Sequence, residues 1–270
     1  MKKQHVILIA IIILFIYSST DVVYTSKRAK HDDFQYTPTV FLHGYKGTYY
    51  SFGNMLDRYQ NEYGWGDKGL VYHVGADGSL DVEELLKTKG KPLFVQVIFE
   101  NNRASFQDGS TWLAAVLQDL KKRYFINEVN LVGHSMGGIL SVKYILDYDG
   151  TIYPNVNKLV TIGSPFDGIY DHTYFLKNPQ KDLAAKDLMP GSEGLKSLRN
   201  KNFPKTIQVL SIASTGDRVA KTESVQMLRK IIRGNPFEEK VIDDKRLGHS
   251  MLHESKRVDR LVYDFLYKQP

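Results

Sequence analysis

Val129-Asn130-Leu131-Val132-Gly133-His134-Ser135-Met136-Gly137-Gly138 is an apolar run that ends at Gly133, passes one serine, and enters a helical pattern through two glycines. It contains Gly-x-Ser-x-Gly with a strand pattern before it and a helix pattern after it. The spacing has a steric reason. A serine on a very tight strand-to-helix turn projects its hydroxyl clear of the backbone. Neighbours two positions away must lack a Cβ for the turn to close, and Gly133 and Gly137 fill those places. The first helical turn leaves unpaired N–H groups and a positive dipole end beside the hydroxyl. An ordinary β-to-α turn with a small apex residue would show the same five letters. The buried-strand run before them, and Gly138 and a helix after them, favour an exposed nucleophile.

Ile139, Leu140, Val142, Ile145 and Leu146 make the following helix apolar nearly all round, as for a helix buried against a sheet. Upstream, Thr39–Leu42, Leu70–Val74 and Leu93–Phe99 read as strands, and Leu159–Ile162 and Ile207–Ala213 as strands downstream. Phe52, Met55, Leu56 and Tyr59 share one face of a helix over 48–63, and Leu113, Val116, Leu117 and Leu120 one face of a helix that Ser110 could cap. This alternation predicts an α/β fold with a mainly parallel central sheet and helices on both faces. Between the last two strands, residues 169–204 are irregular and rich in Asp, Lys, Tyr, Gly and Pro, a lid-like insertion. Tyr170, Tyr174, Phe175, Leu176, Leu183, Leu188 and Met189 could face a substrate there, or form the buried side of surface helices. A helix is expected to start near Ser192, and His172 reads as a surface residue.

A serine hydroxyl needs a histidine to take its proton and a carboxylate to orient that histidine. Asp217, in Ser214-Thr-Gly-Asp217 just beyond a strand, is the expected acid, and Asp167, one strand earlier, is the alternative acid. Gly248-His249-Ser-Met-Leu-His253-Glu254 precedes an amphipathic C-terminal helix carrying Val258, Leu261, Val262, Phe265 and Leu266. Both His249 and His253 stand where a base could face back toward the serine. Paired histidines could also suggest zinc, but no third ligand or glutamate base motif accompanies them, so neither metal nor cofactor is expected. An acyl-transfer intermediate needs two N–H donors for its oxyanion. The main chains of Met136, after the serine, and Tyr45, in His43-Gly44-Tyr45-Lys46-Gly47, are the expected pair. His43 could serve as a base, but packing beneath its loop is the expected role.

Composition bounds the function classes. The 270 residues are 42% apolar and 24% charged, with net charge +6, enough for a sizeable core. The basic residues are scattered, which disfavours nucleic-acid binding, while an anionic membrane or wall polymer remains a fitting neighbour. The chain has no cysteine, which excludes disulfides and thiol catalysis. Lys2 and Lys3 precede the apolar run Val6–Tyr17, the layout of a secretory signal. The run is short for a bilayer span, which needs about 20 residues. Residues 1–24 are therefore expected to be a signal peptide or membrane anchor, 25–37 a linker, and 38–270 the folded domain, exported and either secreted or held at the outer membrane face.

Phe41-Leu-His-Gly-Tyr45, Val132-Gly-His-Ser-Met-Gly-Gly138, Ser214-Thr-Gly-Asp217 and Gly248-His-Ser-Met-Leu-His-Glu254 resemble the α/β-hydrolase superfamily. Within it they look like bacterial cell-surface α/β hydrolases, a group of poorly defined activity, and like small bacterial lipases. Those lipases carry their histidine before an apolar C-terminal helix at the spacing of His249, which favours His249 over His253. The acid loop departs from the pattern: Arg218 stands where glycine is common, and no proline follows Val219. The resemblance implies a serine hydrolase acting on a small-molecule or lipid ester through Ser135, Asp217 and His249. An acyltransferase or peptidase would use the same triad, and an anchored binding protein could use the same scaffold without turnover.

Overall fold

In the computed structural model the described residues are 35–85, 88–148, 150–177 and 181–268, within the compact unit His31–Pro270. The expected signal or anchor, and most of the linker, lie outside them. Among the described residues no helix is long and apolar enough to cross a membrane. Tyr36, near the end of the expected linker, packs edge-on against Tyr267 with ring centroids 5.9 Å apart.

The strands are β1 (Thr39–Leu42), β2 (Asp67–Val74), β3 (Leu80–Glu84), β4 (Leu93–Phe99), β5 (Glu128–His134), β6 (Asn155–Ile162), β7 (Gln208–Ser214) and β8 (Phe237–Ile242). Among the described residues they form one eight-stranded sheet in the order β3-β2-β4-β1-β5-β6-β7-β8. All neighbours are parallel except β2 and β3. Two edge strands add to the sequence expectation. Ile207–Ala213 is not the last strand, because β8 follows it, and β3 lies beyond the turn at Gly75–Gly78. Both edges carry charge, with Leu-Asp-Val-Glu-Glu in one and Phe-Glu-Glu-Lys-Val-Ile in the other. Polar edges discourage pairing with other chains, and they also weaken the apolar signal by which a strand is recognised.

The central strands alternate between two cores, because successive side chains point to opposite faces. Val40 and Leu42 enter one core with Leu131, Leu113, Leu117 and Ile139. Phe41 enters the other with Val132, Phe52, Met55 and Val262. Helices α2 (Phe106–Tyr124) and α3 (Met136–Asp147) cover the first face. Helices α1 (Tyr50–Asp57) and the C-terminal Lys256–Tyr267 cover the second. The α2 helix starts earlier than expected. Ser105 caps it by accepting from Asp108 N–H, whereas Ser110 is buried mid-helix with its hydroxyl donating to Gln107 O.

Among the described residues the insertion between β6 and β7 holds three short helices, α4 (His172–Lys177), α5 (Leu183–Asp187) and α6 (Glu193–Lys196), the last capped by Ser192 as expected. It is tied to the core by Ile169, Phe175, Leu188, Leu195 and Leu198. Tyr170, Leu176 and Leu183 are exposed. His172 is on the surface.

Candidate active site

The strand order turns about β1 and β5, which lie side by side with Leu42 opposite Gly133. The carboxyl ends of strands at such a switch point are the usual binding position of an open α/β sheet. Ser135 follows β5 with φ 55° and ψ −126°, and opens α3. A Cβ at Gly133 would lie 2.3 Å from Gly138 N, and one at Gly137 2.2 Å from Leu42 O, so the bend closes only with glycine at these two positions. Gly138 has its own reason: a Cβ there would meet the Ser164 hydroxyl.

His249 bridges the two other polar groups. Its Nε2 is 2.9 Å from Ser135 Oγ, and its Nδ1 is 2.7 Å from Asp217 Oδ2. These bonds match a tautomer in which Nδ1–H donates to the carboxylate and Nε2 accepts from the serine. Ser135 is 6% exposed and Asp217 2%, while the His249 side chain is 15% exposed. The second Asp217 oxygen accepts from Val219 N–H at 2.8 Å and Ala220 N–H at 2.9 Å, so the loop keeps its shape without the usual glycine and proline. Gly163, with φ 55°, lets β6 pass close by: a Cβ there would sit 3.2 Å from Asp217 Oδ2 and 2.8 Å from Leu252 Cδ1.

The alternatives fall elsewhere. Asp167 pairs with Arg199 at 2.7 Å and accepts from Tyr170 OH. The His253 ring turns toward Glu254, with Nδ1 3.1 Å from Oε1, and packs on Phe52 and His134. His43 is buried beneath its loop: Nδ1–H donates to Gly44 O and Nε2 accepts from Phe99 N–H. Burial holds its pKa below the ordinary histidine value.

The Tyr45 N–H engages no carbonyl among the described residues. The Met136 N–H opens α3, where no earlier helical carbonyl can satisfy it. Gly44 brings the loop against the serine, since a Cβ on it would lie 2.7 Å from Ser135 Cβ. Asn102 pins this loop by accepting from Lys46 N–H through its carbonyl and donating from its side chain to Gly47 O. Tyr45 OH donates to Asp182 Oδ2 at 2.6 Å, and Arg103 pairs with the same carboxylate at 2.7 Å, linking the loop to the insertion. Burial and this bond to Asp182 raise the Tyr45 pKa.

Sequence reasoning missed the support behind His249. His134 Nε2–H donates to His249 O at 3.1 Å. Burial first, then the neighbouring His249 and His253, hold His134 well below its ordinary pKa and therefore neutral. Arg58, in a π-turn after α1, grips Asp259 with Nε at 2.6 Å and Nη2 at 2.9 Å. It also reaches His253 O and Glu254, clamping the 3₁₀ turn His249–Glu254. The only sequence signal for Arg58 is a charge beside Tyr59 on an otherwise apolar helical face. Its partners lie some two hundred positions away. Among the described residues no group of three or more His, Asp and Glu side chains could hold a metal ion.

A mainly parallel sheet with a serine on the sharp bend after its central strand is the arrangement of an α/β hydrolase. The family model of alpha/beta hydrolases of unknown function (DUF915) matches residues 26–269, and the chain belongs to that family. Comparison with curated proteins gives no match. Among solved structures, the lin2722 product of Listeria innocua is 28% identical, covers 87% of this chain and 96% of its own, and has a TM-score of 0.72. A protein named "putative cell surface hydrolase" from Lactobacillus plantarum WCFS1 is 20% identical over 86% of this chain and 90% of its own, with TM-score 0.62. The lipase BlEst2 of Bacillus licheniformis is 18% identical over 86% and 92%, with TM-score 0.55. The last two share the fold.

Proposed function

We propose that the protein is a serine hydrolase that cleaves carboxylic esters through an acyl-enzyme, outside the cell membrane. The observation that carries this is His249 standing between Ser135 Oγ and Asp217, at 2.9 and 2.7 Å. Ser135 Oγ attacks the ester carbonyl as its proton passes to His249 Nε2. Asp217 stays ionised and stabilises the imidazolium. The carbonyl oxygen becomes an oxyanion held by the Tyr45 and Met136 N–H groups. Its collapse expels the alcohol, which takes the proton from Nε2. Water then attacks the acyl-enzyme through the same base, and the acid and free serine are released. No cofactor takes part. The insertion 169–204 acts as a wall or lid of the acyl site through the Tyr45–Asp182 link. The export reading rests on Lys2, Lys3 and the apolar run after them.

The test is turnover of an activated short-chain ester by the full chain and by Ser135→Ala. The variant should keep its thermal unfolding midpoint and lose at least about a thousandfold in kcat. Retained turnover would refute the role of Ser135.

A further inference from the structure

Asp182 stands directly before helix α5, where an aspartate ordinarily caps the first turn. Its side chain makes no cap bond. It is 8% exposed, and Oδ2 accepts from Tyr45 OH at 2.6 Å and from Arg103 Nη1–H at 2.7 Å. Ala184 N–H donates to Arg103 O at 3.0 Å, which fixes this end of the insertion against the loop after β4. A carboxylate is thus withdrawn from its own helix and spent on a residue 137 positions away.

The loop it reaches is not held by local chemistry alone. Gly47 N–H donates to Gly44 O at 2.9 Å, closing a turn with Tyr45 and Lys46 at its corners. Lys46 has φ 58°, at the corner where a turn with positive φ favours glycine. Two contacts from outside hold these corners. Asn102 O accepts from Lys46 N–H at 2.9 Å, and Asp182 accepts from the Tyr45 hydroxyl. In the proposed mechanism the Tyr45 N–H holds the oxyanion, and such a donor acts only when aimed beforehand. We propose that Asp182 is a positioning residue: through the Tyr45 side chain it sets the aim of the Tyr45 N–H, so that the insertion completes the oxyanion hole as well as walling the acyl site. This inference rests on the ester-hydrolase reading of Ser135.

The test is steady-state hydrolysis of an activated short-chain ester by the full chain, with Ser135→Ala alongside. Tyr45→Phe removes one hydroxyl and no charge. It should lower kcat about thirtyfold, less than the loss of a whole donor, with KM within about threefold of wild type. The pH at which kcat half-falls should not move, since Asp217 and His249 are untouched. Asp182→Ala should match Tyr45→Phe, and the double variant should be no slower than the slower single variant. Asp182→Asn keeps an amide oxygen where Oδ2 accepts both bonds, and should restore kcat to within about threefold of wild type. If Asp182→Ala does not fold, Tyr45→Phe and Asp182→Asn decide by the same readings. No turnover by wild type would defeat the hydrolase reading and this inference with it. With wild type active and Ser135→Ala inactive, four results would each overturn the role of Asp182 and leave the triad standing: full kcat in Tyr45→Phe, a rise in KM alone, additive losses in the double variant, or a kcat for Asp182→Asn well below that range.

Discussion

Ser135 holds a positive φ without being glycine, a conformation that costs roughly 1–3 kcal/mol. The strain is tolerable because Ser135 N–H donates to Ile162 O at 2.8 Å and the neighbouring glycines give the bend room. What the hydroxyl can do is then decided by the two side chains beyond it. Asp217→Asn should lower kcat about ten-thousand-fold by favouring the wrong His249 tautomer, whereas Asp167→Asn, which loses its pair with Arg199, should stay within about tenfold. The reverse order in steady-state kinetics would move the acid. His249→Ala should likewise be crippling in the same assay and His253→Ala mild; a crippling His253→Ala beside an active His249→Ala would exchange their roles. At this scale Ser135 was legible because strand, glycines and helix agree locally. The choice between His249 and His253 was not, because it depends on the 3₁₀ turn that aims one ring at Ser135 and the other at Glu254. Ser110 misled as a cap because Ser105-Phe-Gln-Asp108, with a carboxylate three residues on, carries the better capping pattern.

The turn His249–Glu254 is short and stays in place through contacts to other elements. Ser214 Oγ–H donates to Leu247 O just ahead of it, and Arg58 holds it from the far side. The Asp259 side chain is fully buried and that of Arg58 is 10% exposed, so this pair lies largely beyond solvent screening. Arg58→Met leaves a buried carboxylate without its partner and should cost about 3–5 kcal/mol in urea unfolding. Arg58→Met/Asp259→Leu should recover much of that loss. A loss below about 1 kcal/mol for the single variant would mean that the pair does not hold the turn. Elements with one apolar face, such as α1 and the C-terminal helix, were legible from spacing alone. The charged edge strands β3 and β8 were not, because their place in the sheet comes from pairing with β2 and β7 and not from an apolar run.

Across the whole molecule, buried histidines couple stability to pH. Burial lowers the pKa of His43, His134 and His253 from the ordinary 6.5. Below that value the unfolded chain takes up protons that the folded chain refuses, so stability falls as pH drops and is regained as pH rises toward 7. The unfolding temperature should therefore decline between about pH 7 and about pH 5, above the range where most carboxylates titrate. His134→Gln should flatten that slope, and an unchanged slope would contradict the buried neutral state of His134. The alternation of strands and helices made the sheet legible at this scale. The meeting of Arg58 with Asp259, and of Tyr45 with Asp182, had no local signal, because each joins segments far apart in the chain.

In the proposed mechanism His249 and Asp217 make the Ser135 hydroxyl reactive. Peptide mapping by mass spectrometry after exposure to a fluorophosphonate measures this most directly. One adduct is expected, on the peptide carrying Ser135, formed at least about a hundredfold more slowly in His249→Ala and absent from Ser135→Ala. An adduct on another residue, or equal labelling of wild type and His249→Ala, would contradict it.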